Sequence, residues 1–252
     1  MDRTQVTAIC WIGRAGEIMR QLTVALALAS ACIFVASCSR GNQNAAPAPT
    51  TISSTPAPVA VDVLYGLLLS PAEINTAMRT IGILVNGTYT KMFDDNANIP
   101  DKDCRFIDPA ETWVYDGSGW IAMRSQHLHE PGDDFDHEVL QAVVAFPSAN
   151  DAARFLSASA QRVWPACSNR QYHNIDADKP DKVWTVGPIA NTNGTLSTTD
   201  TLTGGNRWSC QRALTVSNNI AIDVAACSDN PGDAAVNIAH QIAMAAAWQA
   251  PQ

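Results

Sequence analysis

Cysteine is the residue type whose positions carry the most chemistry in this chain. Cys38 closes the run Val35-Ala36-Ser37-Cys38, directly after the apolar segment Leu22 to Val35 (LTVALALASACIFV), with Arg20 ahead of it. A basic flank, a short apolar core and small residues before a cysteine are what a lipoprotein signal peptidase reads. The expected product is a diacylglycerol thioether on Cys38, and two acyl chains suffice for stable anchoring. Fourteen apolar residues are too few to cross a bilayer comfortably. The competing readings are an ordinary signal peptide with an incidental cysteine, or an uncleaved anchor. Met19 offers a second start site, which would make Met1 to Ile18 an upstream extension.

Cys10 and Cys32 would leave with the signal, so Cys104, Cys167, Cys210 and Cys227 remain. Four cysteines in an exported domain point to two disulfides. Zinc is the alternative use, but the chain has no CxxC and no close Cys/His pair, so no metal site is assigned. His127-Leu128-His129 sets two imidazoles on one face of a strand, with His137 eight residues on. Exposed histidines at a strand end account for that spacing. Asp94-Asp95-Asn96-Ala97-Asn98 imitates the start of a calcium loop. Ile99 stands where such a loop needs Gly and Arg105 where it needs Glu, so it reads as a solvated acidic loop.

The motifs of familiar catalysis are missing. There is no GxSxG, no SxxK with its companion motifs, no HExxH, no P-loop and no GxGxxG. No catalytic residue and no cofactor are therefore assigned. Beyond residue 38 the chain holds 13 Lys and Arg against 22 Asp and Glu. A domain that acidic lacks the counter-charge patch that nucleic acid or an anionic lipid surface needs.

Three segments must be arranged to position these residues. Residues 1–38 form the lipoprotein signal peptide. Residues 39–62 (SRGNQNAAPAPTTISSTPAPVAVD) have no hydrophobic periodicity and are rich in Pro, Ala, Ser and Thr, as in an extended tether reaching about 70 Å. Residues 63–252 are long enough for one domain with its own core.

Within the domain, Ser70-Pro71-Ala72-Glu73 is a helix start with a capping box, and the helix runs to about Thr80. A second helix begins at Ser148 and ends at Trp164-Pro165. A third runs from Ala234 to about Trp248, with Val236, Ile238, Ala239, Ile242 and Ala246 as its apolar set. Strands are expected at about 111–116, 119–128, 138–146, 182–187, 194–198, 206–217 and 220–227. Strands in sequence without βαβ alternation predict an α+β fold, a largely antiparallel sheet packed with a few helices.

Two hairpins can be placed in register. A turn at Asn218-Asn219 sets Cys210 opposite Cys227 at a non-hydrogen-bonded pair, where Cα atoms approach to about 4.5 Å, within disulfide range. Arg212 and Asp223 then sit diagonally on the same face, spaced for an ion pair. A turn at Gly117-Ser118 sets Tyr115 opposite Trp120, Trp113 opposite Ala122 and Glu111 opposite Arg124. That face is aromatic with charge at its edge. It is core if helices cover both sides of the sheet and a ligand platform if one side is open. On the second reading Trp113, Tyr115, Trp120 and Arg124 are the candidate ligand-binding residues. The rings would stack on an apolar or amphipathic metabolite while Arg124 orients an acidic group.

The cysteine spacing, Tyr115-Asp116-Gly117-Ser118-Gly119-Trp120, Val143-Val144-Ala145-Phe146-Pro147-Ser148-Ala149 and Trp164-Pro165-Ala166-Cys167 together resemble a known family. It is the PknH-like extracellular sensor domain family, which also occurs in free-standing mycobacterial lipoproteins. The resemblance covers about Val63 to Trp248. It implies a two-disulfide α+β domain with a cleft for a small ligand, and sequential pairing as Cys104–Cys167 and Cys210–Cys227. The family's domain is also the extracellular part of a mycobacterial serine/threonine kinase; this chain departs from that kinase in carrying no catalytic domain and no transmembrane helix, so signalling across the membrane through it is not expected. The expectation is a lipid-anchored protein on the extracytoplasmic face of the cell membrane, binding a small ligand or envelope component through a sensor-like domain. A structural or partner-binding envelope protein and an envelope hydrolase are the alternatives.

Overall fold

The central strands announce themselves by burial on both faces. In Glu138–Ala145 and Ile220–Ser228 nearly every side chain is shielded from solvent, as befits runs such as Val-Val-Ala. The computed structural model describes residues 56–94, 97–175 and 180–249. The signal segment, Cys38 and most of the expected tether lie outside them.

The helices are α1 (Pro71–Met78), α2 (Thr112–Tyr115), α3 (Ala149–Ala158) and α4 (Ala234–Gln249). The strands are β1 (Leu84–Tyr89), β2 (Ala122–His129), β3 (Glu138–Ala145), β4 (Gln171–Asn174), β5 (Lys182–Val186), β6 (Ala190–Thr192), β7 (Thr195–Leu202), β8 (Ser209–Ser217) and β9 (Ile220–Ser228). Among the described residues they form one antiparallel sheet in the order β1-β2-β3-β9-β8-β7-β5-β4, with β6 paired to β7. The fold is α+β, as the pattern of the sequence predicts.

Each face of the sheet carries its own core. On one, Ile238, Ala239, Ile242 and Ala246 of α4 and Ile74 of α1 pack on Val139, Val143, Ile222 and Val224. On the other, Phe155 of α3 joins Phe106, Tyr115, Phe146 and Trp164 over Val144, Leu214 and Ala221. The Cys104–Cys167 disulfide lies in this second core and ties the Lys102–Ile107 turn to the Pro165–Cys167 turn.

Local signals set the ends of these elements. Ser70 and Glu73 form the expected capping box on α1. After Ala158 the second helix loosens into a π turn, Ser159–Val163, before Pro165 closes it. In the β8–β9 turn Asn218 alone adopts positive φ, at 52°. Asn219 instead turns its side chain inward. Its Nδ2 donates to Val59 O (3.2 Å) and Phe146 O (2.9 Å), and its Oδ1 accepts from Val59 N (2.7 Å).

That clasp moves a boundary. Val59 is buried and the helical turn Val61–Leu67 packs onto the sheet, so the domain begins before residue 63. Gln141 holds the same segment, accepting from Leu69 N at 3.0 Å and donating to Leu69 O at 2.8 Å.

The expected strand at 111–116 and its hairpin do not form. Thr112–Tyr115 is a helical turn, and the chain re-enters the sheet only at Ala122. The cause is Asp223, whose buried Oδ2 accepts both from Ala110 N and from Tyr115 Oη, each at 2.9 Å. An extended segment would set residues 110 and 115 about 16 Å apart. A helical turn brings both to one carboxylate. The demand of a buried charge overrides the β preference of Thr-Trp-Val-Tyr.

Candidate functional site

Strand register lays out the floor of a cleft. Tyr172 stands opposite Trp184, Val186 opposite Asp200, Asp200 opposite Cys210, Cys210 opposite Cys227, and Cys227 opposite Glu138. Opposed residues share a face, as do residues two apart on one strand. Tyr172, Trp184, Asp200, the Cys210–Cys227 disulfide and Glu138 therefore lie in one band across the sheet. The α3 helix and its aromatic cluster cover the other end of that face. Over the band the face stays open as a cleft of about 340 Å³.

Two walls close on this floor. Tyr89 and Phe93, packed edge to face at 4.9 Å, form one. The segment Ile107, Asp108, Pro109 and Glu111 forms another, and Trp208 also lines the cleft. The second wall is gripped from beneath by a buried ion pair. Arg212 and Asp223 are 2% and 1% exposed and paired through Nη1 and Oδ1. Arg212 Nε donates to Ile107 O at 2.7 Å and its Nη2 to Asp108 O at 3.4 Å, while the guanidinium lies 5.5 Å above the Trp164 ring. Asp223 holds Ala110 and Tyr115. The diagonal pair expected from the hairpin register thus exists, and it positions the cleft wall.

The lining of the cleft is acidic. Asp108, Glu111, Glu138 and Asp200 line it, against Lys182 and His127. Asp200 is 2% exposed and accepts from Tyr172 Oη at 2.9 Å. Burial raises its carboxyl to about 7, Asp108 adds to the rise, and the Tyr172 hydrogen bond opposes it. Burial likewise pushes the Tyr172 phenol well up, with the Asp200 charge reinforcing it. Among the described residues, Asp200 Oδ1 and Trp184 Nε1 are buried without a hydrogen-bond partner.

The structure separates the four residues expected to form an aromatic platform. Tyr115 is wholly buried, stacked on Phe155 at 4.4 Å and bound to Asp223. Trp113 is 38% exposed on α2, and Trp120 is half-buried against the aromatic core. Arg124 sits on β2 opposite Val143 and donates to Met123 O at 2.7 Å, so the cross-strand register expected to set it opposite Glu111 does not form. None of the four lines the cleft. The core alternative for Tyr115 is what the fold realises.

Of the histidines, His127 reaches the cleft and bonds Glu138 Oε1 through Nε2 at 2.6 Å. His129 Nδ1 turns to Glu130 O and His137 Nδ1 to Glu130 Oε1. Both disulfides form in the sequential pairing, and the Cα atoms of Cys210 and Cys227 are 4.0 Å apart.

Sequence reasoning missed Tyr172, Trp184 and Asp200. A signal for Asp200 exists in Thr195–Leu202, where it falls in phase with Leu196, Thr198 and Leu202 on one face of a strand. A carboxylate in the register of core positions marks a buried acid. Tyr172 sits in a four-residue strand too short to show alternation.

Comparison with known proteins agrees with this architecture. A family model described as the PknH-like extracellular domain matches residues 59–245. The serine/threonine-protein kinases PknH of Mycobacterium bovis and Mycobacterium tuberculosis are 34% identical over 188 residues, 74% of this chain. That stretch is 31% and 30% of those kinases, so the chain spans under a third of the curated relatives it matches. The crystal structure of the extracellular domain of PknH from Mycobacterium tuberculosis superposes with a TM-score of 0.72 at 32% identity. The match covers 76% of this chain and 98% of that one.

Proposed function

The chain belongs to the PknH-like extracellular domain family, and from that premise we propose that it is a lipid-anchored ligand-binding protein of the cell envelope. The family places the domain outside the cytoplasm. The anchor is the diacylglycerol on Cys38, argued from Val35-Ala36-Ser37-Cys38 and the apolar segment before it. The binding role is carried by one observation: a cleft of about 340 Å³ with aromatic walls and a polar floor. That volume falls in the range of small-molecule sites, and so does the mix of rings with a few convergent polar groups. The cleft is built on strands and held by a disulfide and a buried ion pair, which suits a preorganised receptor surface.

The domain offers no nucleophile–base pair by motif, so binding without turnover is the reading favoured over hydrolysis. Native mass spectrometry of protein purified from its own envelope tests it, beside the Ala225→Trp variant, which fills the cleft floor. A small molecule carried by the wild type and lost in the variant is the expected result. A molecule retained equally by both places binding elsewhere, and none in either favours a structural or protein-binding role.

A further inference from the structure

We propose that the cleft takes a neutral polyhydroxylated ligand, a saccharide or polyol, whose hydroxyl groups meet Asp200 Oδ1 and the Trp184 indole N–H. This rests on the cleft being the binding site and goes on to name the class of molecule it fits.

Two polar atoms of opposite character lie buried and unpartnered among the described residues of the cleft lining. Trp184 is 7% exposed and Asp200 2%, and both line the cleft. Trp184 Nε1 is a donor only and Asp200 Oδ1 an acceptor when ionised, and neither has a hydrogen-bond partner among the described residues. They belong to one face of neighbouring strands, since Trp184 is two residues from Val186, which Asp200 opposes. A buried polar atom left unmet costs about 1–3 kcal/mol. The ligand that relieves both must accept from one and donate to the other.

Ion chemistry fails that requirement in either sign. An anion meets four carboxylates, Asp108, Glu111, Glu138 and Asp200, against Lys182 and a His127 already bonded to Glu138, a balance that disfavours negative charge. An ammonium group satisfies Asp200 but has no lone pair for the indole N–H. A hydroxyl group both donates and accepts. With Asp200 raised to about 7 it also meets Oδ1 in either protonation state, donating to the carboxylate or accepting from the acid.

The remaining lining has the same character. Tyr172 and Trp184 lie with near-parallel rings, 9° apart with centroids at 6.5 Å, and both line the cleft, an aromatic setting that suits the C–H surface of a sugar ring. Asn174 and Lys182 near the same strand ends supply further polar groups.

The Trp184 indole N–H is itself the reporter. In the ¹⁵N-labelled chain its resonance is assigned by its disappearance in Trp184→Phe. D-glucose, D-galactose, myo-inositol and a neutral disaccharide are titrated in parallel with choline and acetate. We expect a saturable shift of the Trp184 signal with at least one neutral compound and none with choline or acetate. By calorimetry Trp184→Phe should weaken that binding about tenfold, the equivalent of one lost hydrogen bond. Asp200→Asn, which keeps the side-chain shape, should weaken it by a similar factor. Preference for the disaccharide points to the end of a longer glycan, and preference for the single ring to a free sugar or polyol.

Movement of the Trp184 signal by choline or acetate but by no neutral compound overturns the ligand class and leaves the cleft as the site. Neutral compounds that bind with unchanged affinity to both variants overturn the assigned contacts. If no compound shifts any cleft resonance while a molecule bound in the native envelope is lost in Ala225→Trp, the class alone is wrong. If the envelope protein carries none either, both readings fall.

Discussion

Tyr115 donates its phenolic hydrogen to Asp223 at 2.9 Å, joining residues 108 positions apart beneath the wall of the cleft. Asp223 in turn faces the buried guanidinium of Arg212. Tyr115→Phe keeps the ring on Phe155 and removes one hydrogen bond to a charged group, so urea unfolding should show a loss of about 2 kcal/mol. Asp223→Ala strands a buried cation and should cost about 3–5 kcal/mol. Equal losses in the two variants would mean that the ion pair adds nothing to the phenol bond.

The exposure of Trp113 and the half-burial of Trp120 predict unequal costs. Trp113→Ala should change stability by about 0.5 kcal/mol or less. Trp120→Ala should cost about 1–3 kcal/mol, less than a fully buried tryptophan, because only part of its ring packs on the core. Thermal melts of the two variants beside wild type measure this. Neither substitution should alter ligand binding in the cleft.

Asp200 couples stability to pH. Its carboxyl has an ordinary value of 3.8 and titrates near 7 in the folded domain, where burial disfavours the charge. The folded state therefore holds a proton that the unfolded chain has released. Stability from this group is complete below about pH 4, falls as pH rises and is gone above about pH 7. At roughly 1.4 kcal/mol per pK unit the change is on the order of 4 kcal/mol. Asp200→Asn cannot ionise, so its stability relative to wild type should rise by a few kcal/mol between pH 4 and pH 8. A constant difference across that range would show that Asp200 titrates normally.

The staples differ in reach. Cys104 and Cys167 are 63 residues apart and Cys210 and Cys227 are 17 apart. On the chain-entropy view the first link stabilises by about 4 kcal/mol and the second by about 3 kcal/mol. Paired Cys→Ala variants, compared by denaturant midpoint, should keep that order. Non-reducing peptide mapping should recover the two sequential pairs.

Cys38→Ala should abolish the diacylglycerol and leave the signal segment uncleaved. Mass spectrometry of the mature N-terminus decides this, and an unmodified terminus at any residue other than Cys38 would refute the anchor.

How far the sequence could be read depended on the distance over which each decision is made. The Cys210–Cys227 register follows from a turn eight residues away, and the α1 cap from four consecutive residues, so both were legible. Thr112–Tyr115 was not, because the group that bends it is Asp223, over a hundred residues on. The β1 strand shows no alternation, since most of its side chains are exposed and a bulge interrupts it between Val85 and Gly87. The cleft was invisible as a unit because its floor is a row taken from β3, β4, β5, β7, β8 and β9, with one or two residues from each.

The Asn219 clasp decides where mechanical load enters the domain. Any pull on the N-terminal segment reaches the fold at Ala57 and Val59, where Asn218 Nδ2 donates to Ala57 O and Asn219 holds Val59 through two hydrogen bonds at the β8–β9 turn. The Cys210–Cys227 crosslink lies seven residue pairs further along the same hairpin, roughly 23 Å away at the rise of a strand. Tension along a tether would therefore be borne at one end of the hairpin, while the receptor surface sits beyond it at the other. On the proposed anchor, the point of attachment and the mouth of the cleft would lie toward opposite ends of one hairpin, with the load entering away from the cleft.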